Sequence, residues 1–265
     1  SQSLGRILAD FSPDIIINDT LDTNLKEMKL LKSHSKLAVS FEDMGPGSKA
    51  ADLVINALYE TPHPAGNHFS GRKYYCLRND LRIIPRRPFA KKIDNILVTF
   101  GGVDEAGLTS KTLDALCRLN IQAEINVVLG LGFKGSKELE KAYANKSKVN
   151  IYRDVKNMGE FMGKADLGIT SAGRTVYEFS SLAVPTLVMA QNPREMRHRF
   201  ASLKNGIFFL GRGDLVSPAR LERALKKIAS STSFRKKMYD RLCAHDLGSG
   251  ASRVVGFILS YERKK

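Results

Sequence analysis

The stretch SAGRTVYEFSSLAVP, Ser171 to Pro185, follows an apolar run and places small or hydroxylated side chains ahead of a helical pattern. Thr170 and Ser171 are both suited to cap that helix, since a hydroxyl accepts a bond from an orphan backbone N–H. Small side chains at Ala172 and Gly173 leave the N–H groups of the helix start open to the oxygens of an anion. Glu178 falls within the first two turns, too far in to be the acid of a capping box. A carboxylate there can accept two bonds from vicinal hydroxyls, and ribose is the natural diol beside a diphosphate. A capped helix with a favourable acid near its positive end would use the same residues.

A second candidate is Phe100-Gly101-Gly102-Val103-Asp104, where an apolar run passes through two glycines into a helix. Glycines let a backbone approach a ligand and present free N–H groups. An ordinary strand-to-helix turn has the same composition, and the run is neither GxGxxG nor a phosphate-binding Walker loop. Two such turns in one sheet, one followed by a hydroxyl-binding acid, describe a nucleotide-diphosphate cleft better than two unrelated turns. Gln191 and Asn192, after a later apolar run, add polar groups at the same rim. Asp43 and Asp104 end apolar runs and could face a cleft, Asp104 as a residue of the nucleotide site, although solvated or capping carboxylates are the commoner use. His34, His63, His68, His198 and His245 have neither metal-ligand nor triad spacing and read as surface or packed residues. No metal and no cofactor is implied, and no catalytic residue is assigned.

These residues need a scaffold that brings strand ends together. Apolar, β-branched runs occur at Asp14–Asn18, Lys36–Phe41, Asp52–Ala57 and Arg72–Leu77, with a helical stretch at Leu25–Ser33. RIIPRRPFAKK, Arg82 to Lys92, then carries two prolines and five basic residues, a composition that blocks helix and central strand alike. Beyond it, strands at 95–100, 123–129, 149–152, 166–169, 186–190 and 207–210 alternate with helices at 109–119, 137–145, 158–162, 175–182 and 195–204, and the chain is helical from Pro218. Continuous apolar strands each followed by a helix indicate parallel sheets covered on both faces. The expected fold class is α/β, with two Rossmann-like doubly wound parallel sheets, the amino-terminal one incomplete. The expected domains are 1–80, a linker at 81–94, and a nucleotide-binding domain at 95–265.

The chain has 265 residues and a formal charge of +15, and Leu215 to Lys265 alone carries 12 Lys and Arg against 4 Asp and Glu. Such an excess favours anionic partners, whether phosphates, nucleic acid or an anionic membrane face. Nucleic acid is disfavoured because neither a zinc finger nor an aromatic RNP motif is present. Cys76, Cys117 and Cys243 are widely spaced and odd in number, which fits reduced thiols in a cytoplasmic protein. No apolar run approaches the ~20 residues that span a bilayer, and no signal peptide opens the sequence.

FGGVD followed by a helix, then ADLGITSAGRTVYEFSSLAVPTLVMAQNPREM, resembles the carboxyl-terminal domain of GT-B-fold nucleotide-sugar enzymes. The resemblance is greatest to the spore-coat polysaccharide family, which includes the UDP-sugar hydrolase of pseudaminic acid biosynthesis, and more distant to the lipid II N-acetylglucosamine transferase. FEDMGPGSKAADLVINALYE, Phe41 to Glu60, is similar to the amino-terminal domain of the same family. The resemblance implies a nucleotide-sugar hydrolase, of the UDP-sugar kind, serving a surface polysaccharide or sialic-acid-like sugar. A glycosyltransferase and a non-catalytic nucleotide-sugar-binding module are the alternatives. It implies that Gly101 and Gly102 border the diphosphate, that Ser171, Ala172, Gly173 and Thr175 donate to it, and that Glu178 holds the ribose. The backbone at Val155 would meet the base, and Gln191 and Asn192 the sugar. Arg174 stands where relatives often carry Ser or Thr, and would either add a cation beside the phosphates or point to solvent. The family's glycine-rich histidine loop, GxGHxxR, to which the resemblance assigns the base, is absent from this sequence, so weak or no activity is expected of this chain alone. An upstream nucleotidyltransferase domain, as in some relatives, and peripheral contact of the basic helices with an anionic membrane are further expectations.

Overall fold

The computed structural model describes residues 2–60 and 66–262. Two compact units are present, Ser1–Cys76 with Ser249–Lys265, and Leu77–Gly248. In chain order the first unit contains α1 (Gln2–Phe11), β1 (Ile15–Asn18), α2 (Leu25–Ser33), β2 (Leu37–Phe41), β3 (Leu53–Asn56) and β4 (His68–Ser70). The second contains α3 (Asn79–Arg82), β5 (Asn95–Thr99), α4 (Leu108–Arg118), β6 (Glu124–Leu129), α5 (Ser136–Tyr143), β7 (Val149–Arg153) and α6 (Met158–Lys164). It continues with β8 (Leu167–Thr170), α7 (Thr175–Ser181), β9 (Thr186–Ala190), β10 (Ile207–Arg212), α8 (Pro218–Ser230) and α9 (Thr232–Cys243). The last helix, α10 (Gly250–Glu262), returns to the first unit.

Both sheets are parallel throughout. The first runs β1-β2-β3-β4 and the second β10-β9-β8-β5-β6-β7. In the second sheet the chain lays β6 and β7 on one side of β5, then crosses back to lay β8, β9 and β10 on the other. β5 and β8 are therefore neighbours at the reversal of strand order, with Thr99 opposite Thr170 at their carboxyl ends. An open parallel sheet has its natural crevice at that reversal, where the loops leave in opposite directions. The strands are apolar because both faces are covered: Ile96, Val98, Ile125, Val127, Leu167 and Ile169 are buried, packed with residues of α4 and α8 such as Leu116 and Leu225.

Several expectations need correction. The fourth strand is His68–Ser70, and Arg72–Tyr74 is a 3-10 turn. Gly71 at φ 102° ends the strand, and Tyr74 then turns into the core of the first unit. The segment 195–204 is not one helix but two short 3-10 turns, Glu195–Arg197 and Leu203–Asn205. Its side chains at Glu195, His198 and Phe200 are buried rather than lying on one exposed helical face. Residues 81–94 are no free linker. The Arg86 guanidinium donates to the carbonyls of Ser181, Cys243 and His245, and Arg87 to that of Lys164, so the proline-rich segment is fastened onto the second unit. The final helix, expected in the carboxyl-terminal domain, buries Val254 and Ile258 in the core of the first unit. Gly250 touches that unit so closely that a Cβ would lie 1.9 Å from the Tyr75 carbonyl oxygen. Helix α1 was not expected, its pattern being short and close to the chain start. Among the described residues, no helix is long and apolar enough to cross a membrane.

Candidate functional site

A cleft of about 330 Å³ opens at the carboxyl ends of β5, β6 and β7 beside the start of α7. Gly101, Gly102, Val155, Thr175 and Glu178 all line it. Five of the residues expected at a nucleotide site, drawn from two separate loops and a helix, thus share one cavity.

The glycine loop is shaped by backbone need. Gly101 adopts φ 80°, where a side chain is strained, and a Cβ on either Gly101 or Gly102 would meet only open space. The loop's bare backbone is therefore accessible from the cleft. Beneath it lies Gly130, a residue the sequence reading passed over. A Cβ there would fall 2.4 Å from the Gly101 carbonyl oxygen, and the Gly132 N–H donates to the Gly102 carbonyl at 3.0 Å. The loop after β6 thus supports the loop after β5, and only glycine permits the approach.

Glu178 is buried, and that burial pushes its carboxyl above the ordinary value, while the charges of Arg78 and Arg174 pull it down. Arg78 also lines the cleft and is held as a two-pronged pair on Asp80. Arg174 is exposed at the start of α7 and reaches Glu178 through its charge. Sequence reasoning had no signal for Arg78, because it precedes the second sheet and lies far along the chain from it.

The remaining expected residues are placed differently. Asp104 caps α4: its two carboxylate oxygens accept the Leu108 and Thr109 N–H groups at 2.9 and 2.7 Å. It is absent from the lining of the cleft, and it occupies the helix-start donors that an anion would have used. Ser171 and Ala172 are buried, and the Ala172 N–H donates to the Glu195 carboxylate at 3.1 Å. The Ser171 hydroxyl also bonds to Glu195. Gly173 is half-buried beside the Glu195 carboxylate. Gln191 spends its side-chain amide on the Phe100 carbonyl at 2.7 Å, tying β9's exit to β5's, and its N–H on Glu195 at 2.7 Å. Asn192 accepts the Glu195 N–H through Oδ1. Ser171, Ala172, Gln191 and Asn192 therefore frame the turn instead of lining the cleft. Glu195 and His198, missed in the sequence because the segment read as a plain helix, are the residues they converge upon.

The first unit has a polar network at the carboxyl ends of its own strands, where Asp43 accepts the Thr23 and Gly45 N–H groups and the Ser40 hydroxyl. Asp43 is fully buried and committed to that role. Of the histidines, His34 bonds to the Leu30 carbonyl, His245 to that of Asn205, and His198 to that of Ala172, while His68 is half-buried on β4. His63 lies outside the described residues. Among the described residues no group of three or more His, Cys, Asp or Glu side chains is arranged to hold a metal ion.

Residues 95–253, spanning the whole second sheet and all of this cleft's lining but Arg78, match the glycosyltransferase family 28 C-terminal domain. The chain belongs to that family. An uncharacterized protein of Methanocaldococcus jannaschii is 34% identical over 202 residues, covering 70% of this chain and 42% of its own length. The chain thus spans less than half of that relative. The spore coat polysaccharide biosynthesis protein SpsG of Bacillus subtilis is 26% identical over 262 residues, covering 92% of this chain and 76% of its own. In fold, the chain is similar to Acinetobacter baumannii MurG, with a TM-score of 0.69 at 16% identity over 98% of this chain and 78% of that one. The expectation of an α/β fold of GT-B type, with two parallel sheets, holds, as does the likeness to the spore-coat family.

Proposed function

We propose that this family 28 chain binds a nucleotide-diphosphate sugar, with UDP as the nucleotide, in the cleft beside the β5–β8 switch point, and serves the biosynthesis of a surface polysaccharide or sialic-acid-like sugar. One observation carries the reading: Gly101, Gly102, Val155, Thr175 and Glu178 line a single cleft at the carboxyl ends of the strands. The bare backbone of the glycine loop suits a diphosphate, Glu178 suits the ribose diol, and the backbone at Val155 suits the edge of the base. The spore-coat relative supports the pathway class, and the resemblance of the motif supports UDP.

The chemistry breaks the bond between the sugar's anomeric carbon and a diphosphate oxygen. That oxygen leaves with the electron pair, so charge grows on the diphosphate as the bond lengthens. Fixed N–H donors and the Arg78 and Arg174 charges stabilise it best when they meet it in the transition state. If water supplies the incoming oxygen the reaction is hydrolysis, as the resemblance implies. If an acceptor hydroxyl supplies it the reaction is transfer, which the family match favours. Either needs a base to take the proton, and none of the residues lining the cleft is assigned that role.

The test is a thermal-shift series with UDP, CDP and GDP on the chain and on Glu178→Ala, since a ligand that binds the folded state raises its melting temperature. A rise specific to UDP and lost in the variant is expected. Equal shifts for the three nucleotides, or an undiminished shift in the variant, would remove the reading. Incubating the longest native form with UDP-sugars then separates turnover without acceptor from strict acceptor dependence.

A further inference from the structure

We infer that Glu195 and His198 are positioning residues that grip the Ala172 peptide from both sides and so hold the Ser171–Gly173 turn that delivers Thr175 and Glu178 to the cleft. The inference rests on the reading of that cleft as a nucleotide site.

The geometry begins with a short turn. Glu195–Arg197 is a 3-10 turn, its start fixed by the Glu195 N–H donating to Asn192 Oδ1 at 3.0 Å. Side chains three apart eclipse in that conformation, so Glu195 and His198 leave the turn on one side. Glu195 Oε2 accepts the N–H groups of Ala172 at 3.1 Å and Gln191 at 2.7 Å. On the other side of the same residue, His198 Nδ1 lies 2.9 Å from the Ala172 carbonyl oxygen. A carbonyl only accepts, so Nδ1 carries the hydrogen, and Nε2 is left as a buried acceptor without a partner among the described residues.

The segment also holds the helix. The His198 ring lies 5.0 Å from that of Tyr177, and Phe200 stacks on Tyr177 at 4.5 Å. Tyr177 is the neighbour of Glu178. Turn and helix are thus fixed by one stretch of chain, residues 195–200, that stays out of the cleft itself. Burial moves the Glu195 carboxyl up and the His198 imidazole down to about 4, so near neutral pH His198 is the neutral donor this geometry requires.

A clamp of this kind acts on ligand affinity through placement, because small displacements of a binding group weaken its bonds steeply. Four variants test it: Glu195→Ala, Glu195→Gln, His198→Ala and His198→Asn. A Gln carbonyl still accepts both N–H groups, and the Asn amide still reaches the Ala172 carbonyl as Nδ1 does. The readouts are UDP affinity by calorimetry and hydrogen exchange of the amides from Ala172 to Glu178. Both alanine variants should weaken UDP binding roughly tenfold or more and speed exchange in that segment while leaving β5 and β6 amides unchanged; both conservative variants should stay within about threefold of the parent. Alanine variants that bind UDP as the parent does, or whose segment exchanges no faster, overturn the inference. If the alanine variants do not fold, Glu195→Asp, which withdraws the carboxylate by one methylene, must show the same losses in smaller measure. Should the parent chain itself not bind UDP, the nucleotide reading fails, and the exchange measurement alone decides whether the clamp exists.

Discussion

Thr99 and Thr170 stand opposite one another at the carboxyl ends of β5 and β8. That pairing makes neighbours of two turns that lie far apart in sequence, Phe100–Gly102 and Ser171–Gly173. The Gln191 side chain bonds to Phe100 and its N–H to Glu195, joining the exit of β9 to both.

The glycine loop depends on what supports it. Gly130→Ala would drive a methyl group against the Gly101 carbonyl and the Gly102 Cα, at 2.4 and 2.5 Å, so backbone must move. The expected result is destabilisation by about 1–3 kcal/mol together with weaker UDP binding. Gly102→Ala meets open space in the folded chain and should leave stability nearly unchanged while still weakening UDP. Denaturant titration and calorimetry on both variants would show whether support and contact separate in this way.

Glu178 should recognise the ribose. Glu178→Ala should weaken UDP binding about 10–100-fold, the worth of hydrogen bonds to a charged group. Removing the 2′-hydroxyl from the nucleotide should cost the parent protein affinity but cost the variant little, because the two changes delete one interaction. Additive losses would show that the carboxylate and the hydroxyl do not meet.

The same residue predicts a pH effect on stability. Its folded-state carboxyl is raised above the ordinary 4.5, chiefly by burial. A raised group contributes stability below its unfolded value and loses it as pH climbs through the folded one. Glu178→Gln should therefore be more stable than the parent at neutral pH, with the difference fading below pH 4.5. A variant less stable at pH 7 would contradict that sign.

His198 works in the opposite sense. Its imidazole falls from an ordinary 6.5 to about 4. A depressed group contributes stability above its unfolded value and loses it as pH falls towards the folded one, here about 3 kcal/mol between pH 6.5 and pH 4. Denaturant titrations across that range should show the parent losing this much more than His198→Asn.

Asp104 is expected to act in stability alone. Asp104→Ala removes the acceptor of two N–H groups at the start of α4 and should cost about 1 kcal/mol. UDP affinity should stay within about twofold of the parent, because the side chain lies off the cleft.

The repeated strand-then-helix pattern was legible because buried parallel strands are continuously apolar, and it fixed β5 to β9 within a residue or two. Gly101 and Gly102 were legible as the loop that leaves a strand, and Glu178 as an acid inside the helix that follows another; the fold lines one cleft with all three. Other features depend on contacts that one sequence does not display. Glu195 carried no mark in a segment that reads as a helix and His198 read equally as surface or packed; only the fold turns both onto Ala172. Asp104 is a residue type that serves as cap or ligand equally well, and the orientation of α4 makes it a cap. Gly250 and Val254 carry no mark that α10 leaves the second unit for the first.

Amide chemical shifts of the labelled chain, followed as UDP is added, report on whether the glycine loop and the start of α7 hold the nucleotide. The largest shifts are expected on Gly101, Gly102, Val155, Thr175 and Glu178, with Asp104 and the residues it caps responding weakly. Shifts concentrated in the first unit, or none in the glycine loop at saturating UDP, would contradict that expectation.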